Sequence, residues 1–153
     1  MTQLAGHGLS IDLPPGWEGA IYRRPPVAGE STHPVLHAGS FPLPVGRGDF
    51  GSGAVDAMGP ADALVVLLEY HRDSTGTALF ARTGMPRAVD PAVFSPATLQ
   101  RSIPGQGGAQ WFFQESGRAF CLYVVLGAHR LRSRLVPAIN QVLGTVRIEA
   151  AQA

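Results

Sequence analysis

The sequence predicts an α+β fold, a mostly antiparallel sheet with helical cover, in one domain spanning 1–153. Three observations carry that expectation. The stretch from Gly108 to Glu149 reads in order as strand, tight turn, buried strand, helix and strand. Earlier apolar runs are short and bounded by turn residues. The 19 glycines and 13 prolines punctuate the chain so densely that one substantial helix, near the end, is all the pattern supports.

Leu9, Ile11 and Leu13 alternate with Ser10 and Asp12, the period of a half-buried strand. Pro14-Pro15-Gly16 then turns the chain into Trp17–Arg24, which predicts an N-terminal hairpin or arch with Trp17 plugging one end of the core. After a polar loop from Arg23 through Thr32, Pro34–Phe41 is a strand; Pro42, Pro44 and several glycines impose irregular chain as far as Gly53. Ser52–Met58 has room for about two helical turns at most, and Gly59-Pro60 ends them before a strand over Leu64–Tyr70. Between Asp73 and Gly108 the pattern allows a short strand at Ala78–Arg82 and a short helix capped by Ser95, running through Gln100 and Arg101.

Trp111, Phe112 and Phe113 are aromatic strand formers, and Ser116-Gly117 supplies the turn after them. Ala119–Leu126 is apolar without interruption, which demands a strand covered on both faces. The period then changes: Leu131, Leu135, Ile139, Val142 and Leu143 fall on one side of a 3.6-residue helix. Ser133 as N-cap would put Pro137 in the first turn, where its missing N–H costs least, and Gly144 would end the helix as its C′ residue. Val146 and Ile148 flank Arg147, a last strand returning to the sheet.

Composition excludes several functions. The net charge of +1 gives no strong field for nucleic acid or a membrane surface. All 12 basic residues are arginine, so Schiff-base and P-loop lysine chemistry are ruled out. Cys121, the only cysteine, falls in the middle of the apolar run; it allows no internal disulfide and is poorly placed to react. The opening residues carry no basic segment, apolar core or lipobox cysteine, which predicts retention in the cytoplasm. The segment ALVVLLEYHR is far shorter than the ~20 residues needed to span a bilayer, so no membrane insertion is expected.

The sharpest candidate motif is Gly46-Arg-Gly48-Asp-Phe-Gly51, a literal G-x-G-x-x-G with Glu69 roughly 20 residues on, as a dinucleotide fingerprint requires. Its context differs from that fingerprint, because prolines interrupt the strand before it and Gly59-Pro60 truncates any helix after it. A glycine-rich loop by composition is the reading this context favours. Arg47-Gly48-Asp49 within it spells an integrin-binding tripeptide, which we read as coincidence. His33 and His37, spaced i and i+4, would share a strand face, but a zinc site needs a third ligand and none stands at a recognisable spacing. No G-x-S-x-G elbow marks a nucleophile, and Glu69, Glu115 and Asp12 are isolated carboxylates. No cofactor is therefore expected. The one local basic cluster is Arg130, Arg132 and Arg134, beside His129; positive charge at a helix start opposes the macrodipole, which makes the cluster a candidate partner contact, with Arg23 and Arg24 as possible companions.

The opening Leu9-Ser-Ile-Asp-Leu-Pro-Pro-Gly-Trp17 resembles the strand, proline, glycine, tryptophan start of PsbP-like domains, including LpqN-type bacterial proteins. Phe120–Glu149 resembles their ending of long strand, amphipathic helix and final strand. The resemblance implies an α/β/α sandwich around an antiparallel sheet, and a non-enzymatic binding or assembly role. It carries over neither a metal ligand set nor the lipidated cysteine of the LpqN type. The expectation is thus a cytoplasmic interaction module for a protein partner or larger complex, with homo-oligomerisation as a further possibility. A ligand-binding protein or enzyme using the Gly46–Gly53 loop is the alternative.

Overall fold

The computed structural model describes residues 1–151 and shows an α+β fold with two antiparallel sheets and one α-helix near the C-terminus. The strands are β1 (Thr2–Gly6), β2 (Leu9–Leu13), β3 (Glu18–Tyr22), β4 (Val35–Gly39), β5 (Ala63–Tyr70), β6 (Gly107–Glu115), β7 (Arg118–Leu126) and β8 (Arg147–Ile148); the helix α1 is Arg132–Leu143. The main sheet runs β3-β4-β5-β7-β6, and a smaller one runs β1-β2-β8. β7 is buried at every residue, as its unbroken apolar run requires. Its even-numbered side chains, Phe120, Leu122 and Val124, join Val65 and Leu67 of β5 under Ile139, Val142 and Leu143 of α1 and Ile11 and Leu13 of the small sheet. Its odd-numbered ones, Cys121, Tyr123 and Val125, join Leu64 and Val66 beneath Phe41, Ala54 and Val55. The second outer layer is therefore built from irregular chain and a single 3₁₀ turn at Val55–Ala57 rather than the two α-turns that Ser52–Met58 allowed.

Several local expectations are corrected. Thr2–Gly6 is a strand that the sequence pattern did not mark; it pairs with β2 through a His7-Gly8 turn in which both residues have positive φ, 52° and 75°. Pro14-Pro15-Gly16 is consequently an arch, since β2 and β3 belong to different sheets. The final strand returns to β2 in the small sheet, not to the main one. Ala78–Phe80 is a 3₁₀ turn instead of a strand. Ser95 caps only a turn, accepting from the Ala97 amide at 3.1 Å. The helix begins at Arg132 with Leu131 in the cap position and no side-chain cap, so Pro137 lies inside the helix and not in its first turn. Gly144 ends it with φ −63° and thus without a left-handed residue; the Thr145 and Val146 amides turn back onto Val142 and Leu143. Apolar packing against the sheet decides the start of α1, because Leu131 and Leu135 both face the core whatever the capping chemistry.

Candidate functional site

The Gly46–Gly53 loop is closed on itself. Gly48 N–H donates to Ser52 O at 2.9 Å, Gly51 N–H to Gly48 O at 2.9 Å and Val55 N–H to Gly51 O at 3.0 Å. These are amides that a phosphate-cradling loop would have to leave free. Only a 3₁₀ turn follows, with no α-helix to contribute a dipole. Gly51 has φ +89°, and a Cβ there would stand 2.5 Å from Leu64 Cδ2, so this glycine serves packing against β5. Glu69, the fourth member of the proposed fingerprint, is engaged elsewhere, in an ion pair with Arg118.

The loop is also tied down by a polar network. His37, fully buried on β4, receives Arg47 Nε–H at Nδ1 (2.7 Å) and donates Nε2–H to Asp49 O (2.7 Å), which fixes its neutral tautomer. Burial pushes its pKa down to about 4, and the Arg47 charge works in the same direction. Asp49 Oδ1 accepts from Tyr22 Oη and from Arg24 Nε, both at 2.8 Å. Burial, then the bond to Asp49, raises the Tyr22 phenol to about 12. Arg47 and Asp49 of the loop are thus held to His37 and Tyr22 of the sheet and to Arg24 just after β3. The Arg-Gly-Asp tripeptide is one of its struts.

His33 and His37 do not come together. His33 precedes β4 and meets His71 edge-to-face at 5.9 Å between ring centroids, while both ring nitrogens of His37 are committed as described. No group of three or more His, Cys, Asp or Glu side chains able to hold a metal occurs among the described residues. Cys121 is buried between β5 and β6, and burial pushes its thiol up to about 12. Glu69 and Glu115, read as isolated carboxylates, each take a two-point grip from an arginine: Arg118 holds Glu69, and Arg87 holds Glu115 at 2.9 Å for both contacts. The hydrogen bonds from Arg87 hold the Glu115 carboxyl below the usual carboxylate range.

The two basic groups separate. Arg23 and Arg130 line different cavities. Arg24 is spent on Asp49, and Arg132 Nη1 donates to the His129 carbonyl at 3.2 Å. Arg130 and Arg134 are exposed and make no ion pair among the described residues. Arg130 belongs to the 3₁₀ turn His129–Leu131 ahead of α1, so it flanks the helix rather than occupying its first turn.

Where β7 gives way to that turn, three loops converge. Gly127 N–H donates to Asp62 O (2.8 Å), His129 N–H to Gly105 O (2.7 Å) and His129 Nε2 to Phe94 O (3.0 Å). They enclose an open cleft of about 440 Å³ walled by Pro60, Pro96 and Pro104, with Arg130 at its side. Proline rings give a rigid apolar wall with no backbone N–H to satisfy, and the guanidinium beside it supplies a charge. This cleft was not legible beforehand: its walls come from residues about 70 positions apart, joined only by the fold. No protein-family model, curated protein or solved structure matches the chain.

Proposed function

We propose that the protein is a non-enzymatic interaction module that receives an apolar, acidic segment of a protein partner in the proline-walled cleft beside Arg130. The observation that carries this reading is the juxtaposition of a rigid apolar wall with an arginine that has no intramolecular carboxylate among the described residues. Arginine beside an apolar pocket is the usual composition of an interface anchor. The internal closure of the Gly46–Gly53 loop favours this over the nucleotide alternative. A PsbP-like relationship belongs to the same proposal, supported by the order of long strand, helix and short strand over β7, α1 and β8. So does a cytoplasmic location, supported by a single buried thiol that needs no oxidising compartment.

Affinity purification from native lysate, run in parallel on the wild type and on Arg130→Glu, tests the reading. A stoichiometric partner recovered by the wild type and depleted about tenfold by charge reversal is the expected outcome. Equal recovery by both proteins would move the contact away from this cleft. A thermal stabilisation of several degrees by NAD, ATP or zinc would replace the module with the ligand-binding alternative.

A further inference from the structure

At the opposite end of β7, the chain builds a second cavity of about 530 Å³, which brings together Arg23, His33 and Glu69, each singled out in the sequence for a different motif. Its rim comes from the two tight hairpin turns, His7-Gly8 and Ser116-Gly117, from the segments around Arg23 and His33, and from His71-Arg72 after β5. The lining carries three arginines, Arg23, Arg72 and Arg118, against two glutamates, Glu69 and Glu149, together with His7, His33 and His71. Charge availability is uneven among them. Arg118 and Glu69 neutralise each other, and the Arg118 guanidinium is fully occupied by Glu69 and by the His7, Gly8 and Glu149 carbonyls. Arg23 uses only Nε, towards Thr32 Oγ1 at 3.3 Å, and Arg72 makes no side-chain hydrogen bond to another described residue. Two guanidinium forks therefore stand at the cavity with donors to spare.

We propose that this cavity binds a small soluble phosphate monoester, with Arg23 and Arg72 gripping the phosphate and the histidines supplying further donors. Its volume is that of a small-molecule site, and arginine forks match phosphate oxygens two at a time. A tetrahedral dianion accepts from several directions at once. That suits donors arriving from separate segments better than a planar carboxylate does. An imidazole offers at least one N–H donor to an anion in either protonation state. The charged neighbours facing the imidazoles are Arg23, Arg72, Arg118, Glu69 and Glu149 from the cavity wall, and Asp73, whose Oδ2 lies 3.4 Å from His71 Nδ1. His33 resists protonation because it is partly buried and faces His71 and Arg23, although Glu69 opposes that effect.

The test is a titration of the full chain with glycerol 3-phosphate, followed by amide chemical shifts and calorimetry at about pH 7.5, where the ester is a dianion. Sodium chloride at matched ionic strength and succinate serve as comparison ligands. The expected result is saturable binding with shifts confined to residues around His7, His33, Arg72 and Gly117. Affinity should fall about tenfold or more in Arg72→Gln and in Arg23→Gln. Both variants alter exposed side chains, and their circular dichroism should match the wild type. Shifts that chloride reproduces, binding untouched by either substitution, or succinate binding as tightly as the ester would overturn the assignment. Tighter binding of a phosphoserine peptide than of glycerol 3-phosphate would overturn its small-molecule part.

Discussion

Arg118 and Glu69 form a two-point ion pair, Nη2 to Oε1 at 2.6 Å and Nε to Oε2 at 3.0 Å, at the seam between the two sheets. The remaining donors of Arg118 reach His7 O, Gly8 O and Glu149 O at 2.9, 3.3 and 3.0 Å, so one guanidinium joins β7 and β5 to the β1–β2 turn and to the chain after β8. All five N–H groups of the side chain are satisfied, the condition under which a charge is tolerated with 4% exposure.

Removing one partner should therefore cost far more than removing both. Arg118→Met strands the Glu69 carboxylate and takes a donor from the His7 and Glu149 carbonyls, while Gly8 O keeps the Glu149 amide, a loss of about 3–5 kcal/mol. Arg118→Met combined with Glu69→Met should recover a substantial part of it, since no unpaired charge is left. Urea unfolding of the two single variants and the double variant measures the difference; equal losses in all would show that the pair acts only through packing.

The glycines of the G-x-G-x-x-G segment make separable predictions. Gly51→Ala combines a positive φ with a collision against Leu64 and should destabilise by about 1–3 kcal/mol. Gly46→Ala faces open space and should change stability by no more than about 0.5 kcal/mol. A phosphate-cradling loop would respond differently, with both substitutions altering ligand affinity while leaving the fold intact. Denaturant midpoints with and without ATP distinguish these outcomes.

The contrast between that segment and the Arg118 cluster shows where the sequence is informative. Strand and helix periods are local properties, so β2, β4, β5, β7 and α1 can be placed from the pattern of Leu, Ile, Val and Phe alone. β1 escapes because Thr2-Gln3-Leu4-Ala5-Gly6 is mostly exposed and has a single large apolar residue; its pairing with β2 supplies the order that its own side chains do not. Arg118 looks like any strand-end arginine until the fold brings His7, Glu69 and Glu149 around it. Both cavities have the same origin. Their walls are assembled from turns far apart in sequence, and no local spacing records which turns will meet. The arginine cluster was visible as a charge pattern, whereas the proline wall beside Arg130 was not.

Pro137 offers a test of how far packing overrides helix chemistry. It is exposed and lies six residues into α1, where its nitrogen cannot donate to the Ser133 carbonyl. The buried face of the helix, Leu135, Val136, Ile139, Val142 and Leu143, holds the segment helical despite that loss. Pro137→Ala should raise stability by about 1–2 kcal/mol, the restored hydrogen bond outweighing the greater freedom of the unfolded chain. A decrease in the denaturant midpoint would mean that the ring itself makes contacts worth more than the bond.

His37 links the acid sensitivity of the protein to the Gly46–Gly53 loop. Its folded-state pKa is depressed to about 4 by burial, below the ordinary imidazole value of 6.5, so between those values the unfolded chain binds the proton and the folded one does not. The contribution of neutral His37 is fully present above pH 6.5 and is lost as the pH falls towards 4. Protonation would also place an N–H at Nδ1 against Arg47 Nε–H, which now donates to it at 2.7 Å. The loss between pH 7 and pH 5 should be about 2 kcal/mol. His37→Gln retains one acceptor and one donor but cannot titrate, so its slope over that interval should shrink to the smaller loss that His33, also shifted down by burial, contributes, with stability lower at pH 7. Glu115, whose carboxyl is held below its usual range by Arg87, acts in the same direction only at more acidic pH, below the window used here. Urea unfolding of both proteins at pH 7, 6 and 5 isolates the imidazole: parallel slopes for wild type and His37→Gln would assign the acid response to another group.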